Sequence, residues 1–131
     1  MPLLSRTSEY ALRAVVVLSK LPPGGMSRAA DLAEETGIPV HYLSKIMRKL
    51  GVAKLVQAHR GHGGGFRLHR PPSAISLQDV LLAVADSVPS HCVFGWARCS
   101  DSAPCPLHPA WIRLKNQFEQ WASTTTLADL D

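Results

Sequence analysis

The stretch Ser27-Arg28-Ala29-Ala30-Asp31-Leu32-Ala33-Glu34-Glu35-Thr36, Gly37-Ile38-Pro39, Val40-His41-Tyr42-Leu43-Ser44-Lys45-Ile46-Met47-Arg48-Lys49-Leu50 decides the fold. It predicts a helix, a tight turn and a second helix. Ser27 can cap the first helix by accepting a bond from an orphan backbone N–H, with Leu32 and Ala33 on the buried side. Gly37 permits the left-handed backbone of a sharp helix end, and Pro39 suits a first helical position, where a missing N–H costs nothing. In the second helix Leu43, Ile46 and Leu50 fall on one stripe at helical spacing. The opposite face carries His41, Tyr42, Ser44, Lys45, Arg48 and Lys49. Such a face fits a major groove, its N-terminal residues toward base edges and its cations toward phosphates. Ser27 counts with these as a candidate DNA contact.

Downstream, Leu55-Val56-Gln57-Ala58-His59-Arg60 and Phe66-Arg67-Leu68-His69-Arg70 flank Gly61-His62-Gly63-Gly64-Gly65. Two extended runs around a glycine-rich tip predict a β-hairpin whose connection is too long for a two-residue turn. From Lys45 to Arg70 there are seven Lys/Arg and no Asp or Glu. A basic hairpin beside a recognition helix is a wing that tracks phosphates or reaches a minor groove, with Arg60, His62 and Arg67 as its candidate contacts. Any single cation here can be no more than a solvated surface charge. The ordered combination of helix, turn, helix and glycine-tipped basic hairpin points to double-stranded DNA.

The flanks complete a domain. Ser5 to Leu21 reads as a helix with Ala11, Ala14, Val15, Leu18 and Leu21 on its apolar face, ended by Pro22-Pro23-Gly24-Gly25. Glu9 sits in its first turn, where the helix dipole favours a carboxylate. After Pro71-Pro72, a helix resumes over Ser76 to Asp86, with Ser76 and Asp79 spaced as a capping box and Leu77, Val80, Leu81 and Val84 buried. Val88 to Pro106 has no period and reads as a loop. Pro109 to about Ser123 is the last long helix, and Trp111, Leu114, Phe118 and Trp121 form a stripe suited to a two-helix contact. Packing on the domain's own core is the simpler use of that stripe. A homodimer interface is favoured, because two Trp and a Phe exceed what a small domain buries and a palindromic DNA site needs two reading heads.

At 131 residues the chain allows one compact domain with an appended helix. The net charge of +4 hides an asymmetry: residues 1–70 hold eleven Lys/Arg against four Asp/Glu, and residues 71–131 hold three against six. That division suits a DNA-facing front and a partner-facing or sensing back. No apolar run reaches the length of a membrane span, and the first residues do not read as a secretory signal, so a cytoplasmic protein is expected.

Three cysteines, Cys92, Cys99 and Cys105, fall within fourteen residues, with His91 before them and His108 after. An odd number so clustered argues for metal or redox chemistry over a disulfide framework. Three single thiolates can wrap an iron–sulfur cluster, take zinc with a fourth ligand, or stay unligated, and spacing alone leaves all three open. No C-x-x-C motif or nucleophile–base arrangement is visible, so enzymatic thiol chemistry is not expected.

The chain resembles the Rrf-type family of bacterial winged-helix regulators, the group that includes IscR, NsrR and RirA. The likeness rests on Tyr10-Ala11-Leu12-Arg13-Ala14, on Ala33 with Gly37-Ile38-Pro39 and Tyr42-Leu43, and on Arg60-Gly61 with Gly63-Gly64-Gly65-Phe66 and Leu68. It continues in Ile75-Ser76-Leu77 with Asp79-Val80, in the cysteine trio, and in Thr126-Leu127-Ala128-Asp129-Leu130. The family implies a mainly α fold with a small β-hairpin wing: a winged helix-turn-helix domain over residues 1–75, then a cluster-binding loop and dimerisation helix over 76–131. Similarity to the cluster-binding branch implies that Cys92, Cys99 and Cys105 hold a [2Fe–2S] or [4Fe–4S] cluster. Two fourth ligands match patterns within the branch: Glu9 of the partner subunit, which directly precedes Tyr10-Ala11-Leu12-Arg13, and His108. The slightly closer match is to Glu9. The resemblance implies a regulator, repressor or activator, that answers redox state, nitric oxide or iron. A winged-helix protein with a structural zinc or ligand-free thiols is the alternative. Lys54 departs from the pattern by standing where glycine is usual after the recognition helix, as does His62 where proline is frequent.

Overall fold

A computed structural model describes residues 4–84, 94 and 99–130. Helix α1 (Arg6–Ser19) is capped by Ser5, whose side-chain oxygen accepts from the Ser8 N–H, and it buries Ala11, Ala14, Val15 and Leu18. Helices α2 (Ala29–Thr36) and α3 (Val40–Val52) follow. Gly37 ends α2 at φ 75°, a left-handed conformation that closes the helix with a bond from its N–H to the Ala33 carbonyl. Along α3 the expected stripe is buried, and Met47 joins Leu43, Ile46 and Leu50 in it.

Two details differ from expectation. Arg28, not Ser27, is the N-cap of α2, and no side chain caps it. Ser27 is instead buried and exchanges two backbone bonds with Phe66, at 2.9 Å and 2.7 Å. The wing therefore takes Ser27 as a single-residue third strand, a use of its backbone that outweighs a cap. Pro39 is the N-cap of α3 rather than its first helical residue, one position earlier than expected.

Strands β1 (Val56–His59) and β2 (Gly65–Leu68) pair antiparallel, with Gln57 opposite Arg67 and His59 opposite Gly65. Close contact with Ser27 explains a glycine at 65: a Cβ there would lie 2.6 Å from the Ser27 carbonyl oxygen, at φ +154°. Among the described residues Lys54 is the one non-glycine with positive φ, at 60°, which accounts for the glycine usual at that position.

Helix α4 (Leu77–Ala83) opens with the expected capping box between Ser76 and Asp79. It ends at Ala83 with Val84 as its C-cap, where the sequence suggested a helix as far as Asp86; Ala85 and Asp86 lie outside the described residues. Helix α5 (His108–Thr124) has Pro109 in its first turn. After it the chain returns to α4: the Leu77 N–H donates to the Thr125 carbonyl at 2.9 Å, and the Leu127 N–H to the Ile75 carbonyl at 3.0 Å. One hydrophobic core runs from Ala11 to Leu127, joining residues from α1 through α4 with Ala122 of α5. Helix α5 is thus rooted in the same core that carries the reading helix.

Candidate functional site

Two regions carry the chemistry expected of the chain. The first is the basic face. On α3, His41, Tyr42, Ser44, Lys45, Arg48 and Lys49 are all exposed. The Ser44 hydroxyl donates to the Val40 carbonyl at 3.1 Å, leaving its oxygen lone pairs outward as acceptors. Tyr42 is held from two sides. His41 lies against its ring at 4.8 Å between centroids, and Tyr10 of α1 meets it edge-on at 6.1 Å. The Arg13 guanidinium caps Tyr10 at 5.4 Å and also reaches the Thr36 carbonyl at 3.4 Å, so α1 braces both helices of the turn. Tyr10 marks the family resemblance in the sequence, but spacing did not reveal it as a brace.

In the wing, Arg60 and His62 are exposed at the tip. Arg67 is half-buried, and its Nε donates to Gln57 Oε1 at 3.0 Å across the strand pair. That bond spends one donor and leaves the two terminal nitrogens free to engage an acceptor pair. Gln57 escaped the sequence reading, although counting back from a glycine tip puts it opposite Arg67. Ser27 alone among the candidate DNA contacts is buried. Among the described residues, no cation from Lys45 to Arg70 is in an ion pair, so the positive field there is not internally cancelled.

The second region is the thiol site at the root of α5. Cys105 is buried and Cys99 half-buried. His108 ties to both: its N–H donates to the Cys105 carbonyl at 3.0 Å, and its Nδ1 lies 3.3 Å from Cys99 Sγ. On the far edge of the ring, Nε2 meets Asp101 Oδ1 at 2.8 Å. A carboxylate can only accept, so Nε2 carries the proton. In the neutral ring Nδ1 then faces Cys99 with its lone pair. Asp101 went unnoticed in the sequence because its loop has no period from which to infer what faces what. Cys92 and His91 lie outside the described residues, among which no three His, Cys, Asp or Glu side chains converge as a metal site. Glu9 stands in the first turn of α1, with Leu12, Arg13, Val16, Glu35 and Thr36 around the same open groove.

The stripe on α5 divides. Phe118 packs on the core and meets Trp121 at 5.4 Å, whereas Leu114 and Trp121 are 52% and 45% exposed. Among the described residues no helix is long and apolar enough to cross a membrane.

Residues 4–130 match the Rrf2 family model, described as iron-dependent transcriptional regulator. A helix-turn-helix-type transcriptional regulator of Mycobacterium tuberculosis is 35% identical over 128 residues, covering 97% of this chain and 80% of that relative. IscR of Vibrio atlanticus is 32% identical over 127 residues, covering 97% and 73%. Among solved structures, CymR, the global cysteine regulator of B. subtilis, matches with a TM-score of 0.82 at 26% identity, covering 99% of this chain and 96% of CymR. IscR of T. potens matches at 0.77 and 25% identity, covering 97% and 84%.

Proposed function

Because the chain belongs to the Rrf2 family of transcriptional regulators, we propose that it is a homodimeric, cytoplasmic regulator whose grip on its operator is set by an iron–sulfur cluster held by Cys92, Cys99, Cys105 and His108. Winged-helix DNA-binding regulation, and not enzymatic catalysis, comes with the family. The cluster, the dimer and the signal are the proposed part.

One observation carries the cluster reading: the Cys99 thiol and the His108 imidazole are 3.3 Å apart at the first residue of α5. The donor set suits the group. Thiolates and imidazole are ligands iron–sulfur centres use, and the described residues bring the Cys99 thiol beside the His108 imidazole, with His108 bonded through its backbone to Cys105. The contact also favours His108 over Glu9 of the partner subunit as the fourth ligand, since His108 already touches one of the cysteines and the backbone of another. When bound, the cluster would supply iron that oxidants and nitric oxide attack and that iron scarcity removes.

The rest belongs to the chain. His108 begins α5, the helix that presents Leu114 and Trp121, so ligand contacts made there bear on how two subunits sit together. The opposite end of α5 is pinned to α4 and the core. A changed helix angle therefore changes the spacing of two reading helices on adjacent half-sites. A useful switch needs a coupling of about 1–3 kcal/mol, or roughly 5- to 150-fold in affinity.

The test is anaerobic. A duplex selected from a random pool is titrated with protein reconstituted with iron and sulfide, and with the same protein stripped by a chelator. Different affinities support the reading. Equal affinities remove the sensing role, and colourless protein with stoichiometric zinc favours a structural metal instead.

A further inference from the structure

Resting on the cluster reading above, we infer that Asp101 is a positioning residue for the cluster: it holds the His108 ring so that Nδ1, and not Nε2, faces the thiolate pocket. The geometry on which this stands is a chain of three side chains. Asp101 Oδ1 is 2.8 Å from His108 Nε2, and His108 Nδ1 is 3.3 Å from Cys99 Sγ. Among the described residues no other Lys, Arg or His side chain lies within ion-pair distance of a carboxylate.

An imidazole has two nitrogens and can ligate through either. Rotation about its side-chain bonds exchanges which one points inward. Two contacts oppose that exchange here: the carboxylate on Nε2 and the thiol beside Nδ1. Metal-ligating histidines characteristically donate their outer N–H to such a partner, which fixes the tautomer and strengthens the inner nitrogen as a donor. The asymmetry of exposure fits the role. The His108 side chain is 15% exposed and that of Asp101 is 96% exposed, so the carboxylate reaches in from water without itself being buried. An exposed carboxylate contributes little to folding, which separates a positioning role from a structural one.

Two variants separate orientation from charge. Asp101→Ala removes the acceptor. Asp101→Asn keeps an oxygen that can accept from Nε2 but removes the negative charge. Each is reconstituted anaerobically with iron and sulfide beside wild type and His108→Ala. Two quantities are read: the rate at which visible absorbance bleaches under an iron chelator, and the reduction potential of the cluster. D101A is expected to bleach on the order of 10-fold faster than wild type, in the range typical for loss of such a partner. Its potential should rise, because a ligand stripped of its anionic partner donates less to the iron. D101N should bleach nearly as slowly as wild type while its potential moves toward that of D101A. In the H108A background, D101A should add nothing further.

If wild type forms a stable cluster and D101A matches it in both rate and potential, the positioning role is overturned while the cluster reading stands. A D101A effect of equal size in H108A also overturns it, since Asp101 would then act without the ring. If wild type takes up no iron and sulfide, the cluster reading falls and this inference falls with it.

Discussion

Tyr10 on α1 meets Tyr42 on α3 edge-on, with ring centroids 6.1 Å apart and planes at 69°. Behind it, Arg13 lies over the Tyr10 ring at 5.4 Å. The first helix thereby sets where the N-terminal end of the recognition helix points its exposed tyrosine. Ring pairs of this kind contribute about 0.5–1.5 kcal/mol beyond the area they bury. Tyr10→Leu should cost roughly 1 kcal/mol in thermal unfolding and weaken operator binding several-fold. Tyr10→Phe, which keeps the ring, should stay near wild type in both. A Y10L protein that binds as tightly as wild type would show that Tyr42 needs no brace.

Arg67 is pre-set by Gln57, with 3.0 Å between Nε and Oε1. Arg67→Ala should lower affinity for every duplex and reduce the slope of log affinity against log salt by about 1 if it contacts one phosphate. Gln57→Met keeps the side chain's length and loses its acceptor. It should lower affinity less and leave the salt slope unchanged, because the cation is still present but less well held. Fluorescence anisotropy across a salt series checks both, and a Q57M effect that persists undiminished in R67A would assign Gln57 a contact of its own.

Lys54 holds φ 60° directly after α3, the left-handed conformation that costs an L-residue with a Cβ about 1 kcal/mol. Lys54→Gly should therefore stabilise the domain, by roughly 0.5 kcal/mol once the greater freedom of glycine in the unfolded chain is counted. Lys54→Ala should not. The pair of variants, compared by thermal unfolding, separates relief of backbone strain from loss of a charge.

The converse holds at Gly65, where a Cβ would stand 2.6 Å from Ser27 O. Gly65→Ala should cost more than 2 kcal/mol and loosen the wing from Ser27, seen as faster hydrogen exchange at the Ser27 and Phe66 amides.

These positions also show how far the sequence could be read. Periodicity gave the helices, because a stripe such as Leu43, Ile46 and Leu50 can be buried in only one way. The capping box at Ser76 and Asp79 was legible since both partners lie within one turn. Ser27 was misassigned because its actual partner, Phe66, is 39 positions away, and long-range pairing leaves no local mark. The same limit hid Tyr10 against Tyr42. At the thiol site the sequence supplied Cys99, Cys105 and His108 as residue types, but the loop's lack of period concealed that one nitrogen of the imidazole meets Cys99 and the other Asp101.

The exposed half of the α5 stripe offers the sharpest test of assembly. Leu114 is 52% exposed, while Phe118 and Ala122 on the same helix attach it to the core. Leu114→Glu puts a charge on the exposed side without disturbing those anchors, so the isolated subunit should unfold within about 0.5 kcal/mol of wild type. Placed in a dimer seam, however, the same charge is desolvated without a partner, and the cost falls on association. Native mass spectrometry should then show the dimer replaced by monomer at micromolar protein. Operator binding should weaken by well over 10-fold, because two linked reading heads bind adjacent half-sites at high effective concentration and a single head does not. If L114E stays dimeric and binds normally, the seam lies elsewhere. Should it become monomeric yet bind a half-site as tightly as wild type binds the full operator, symmetry is not what gives the protein its grip.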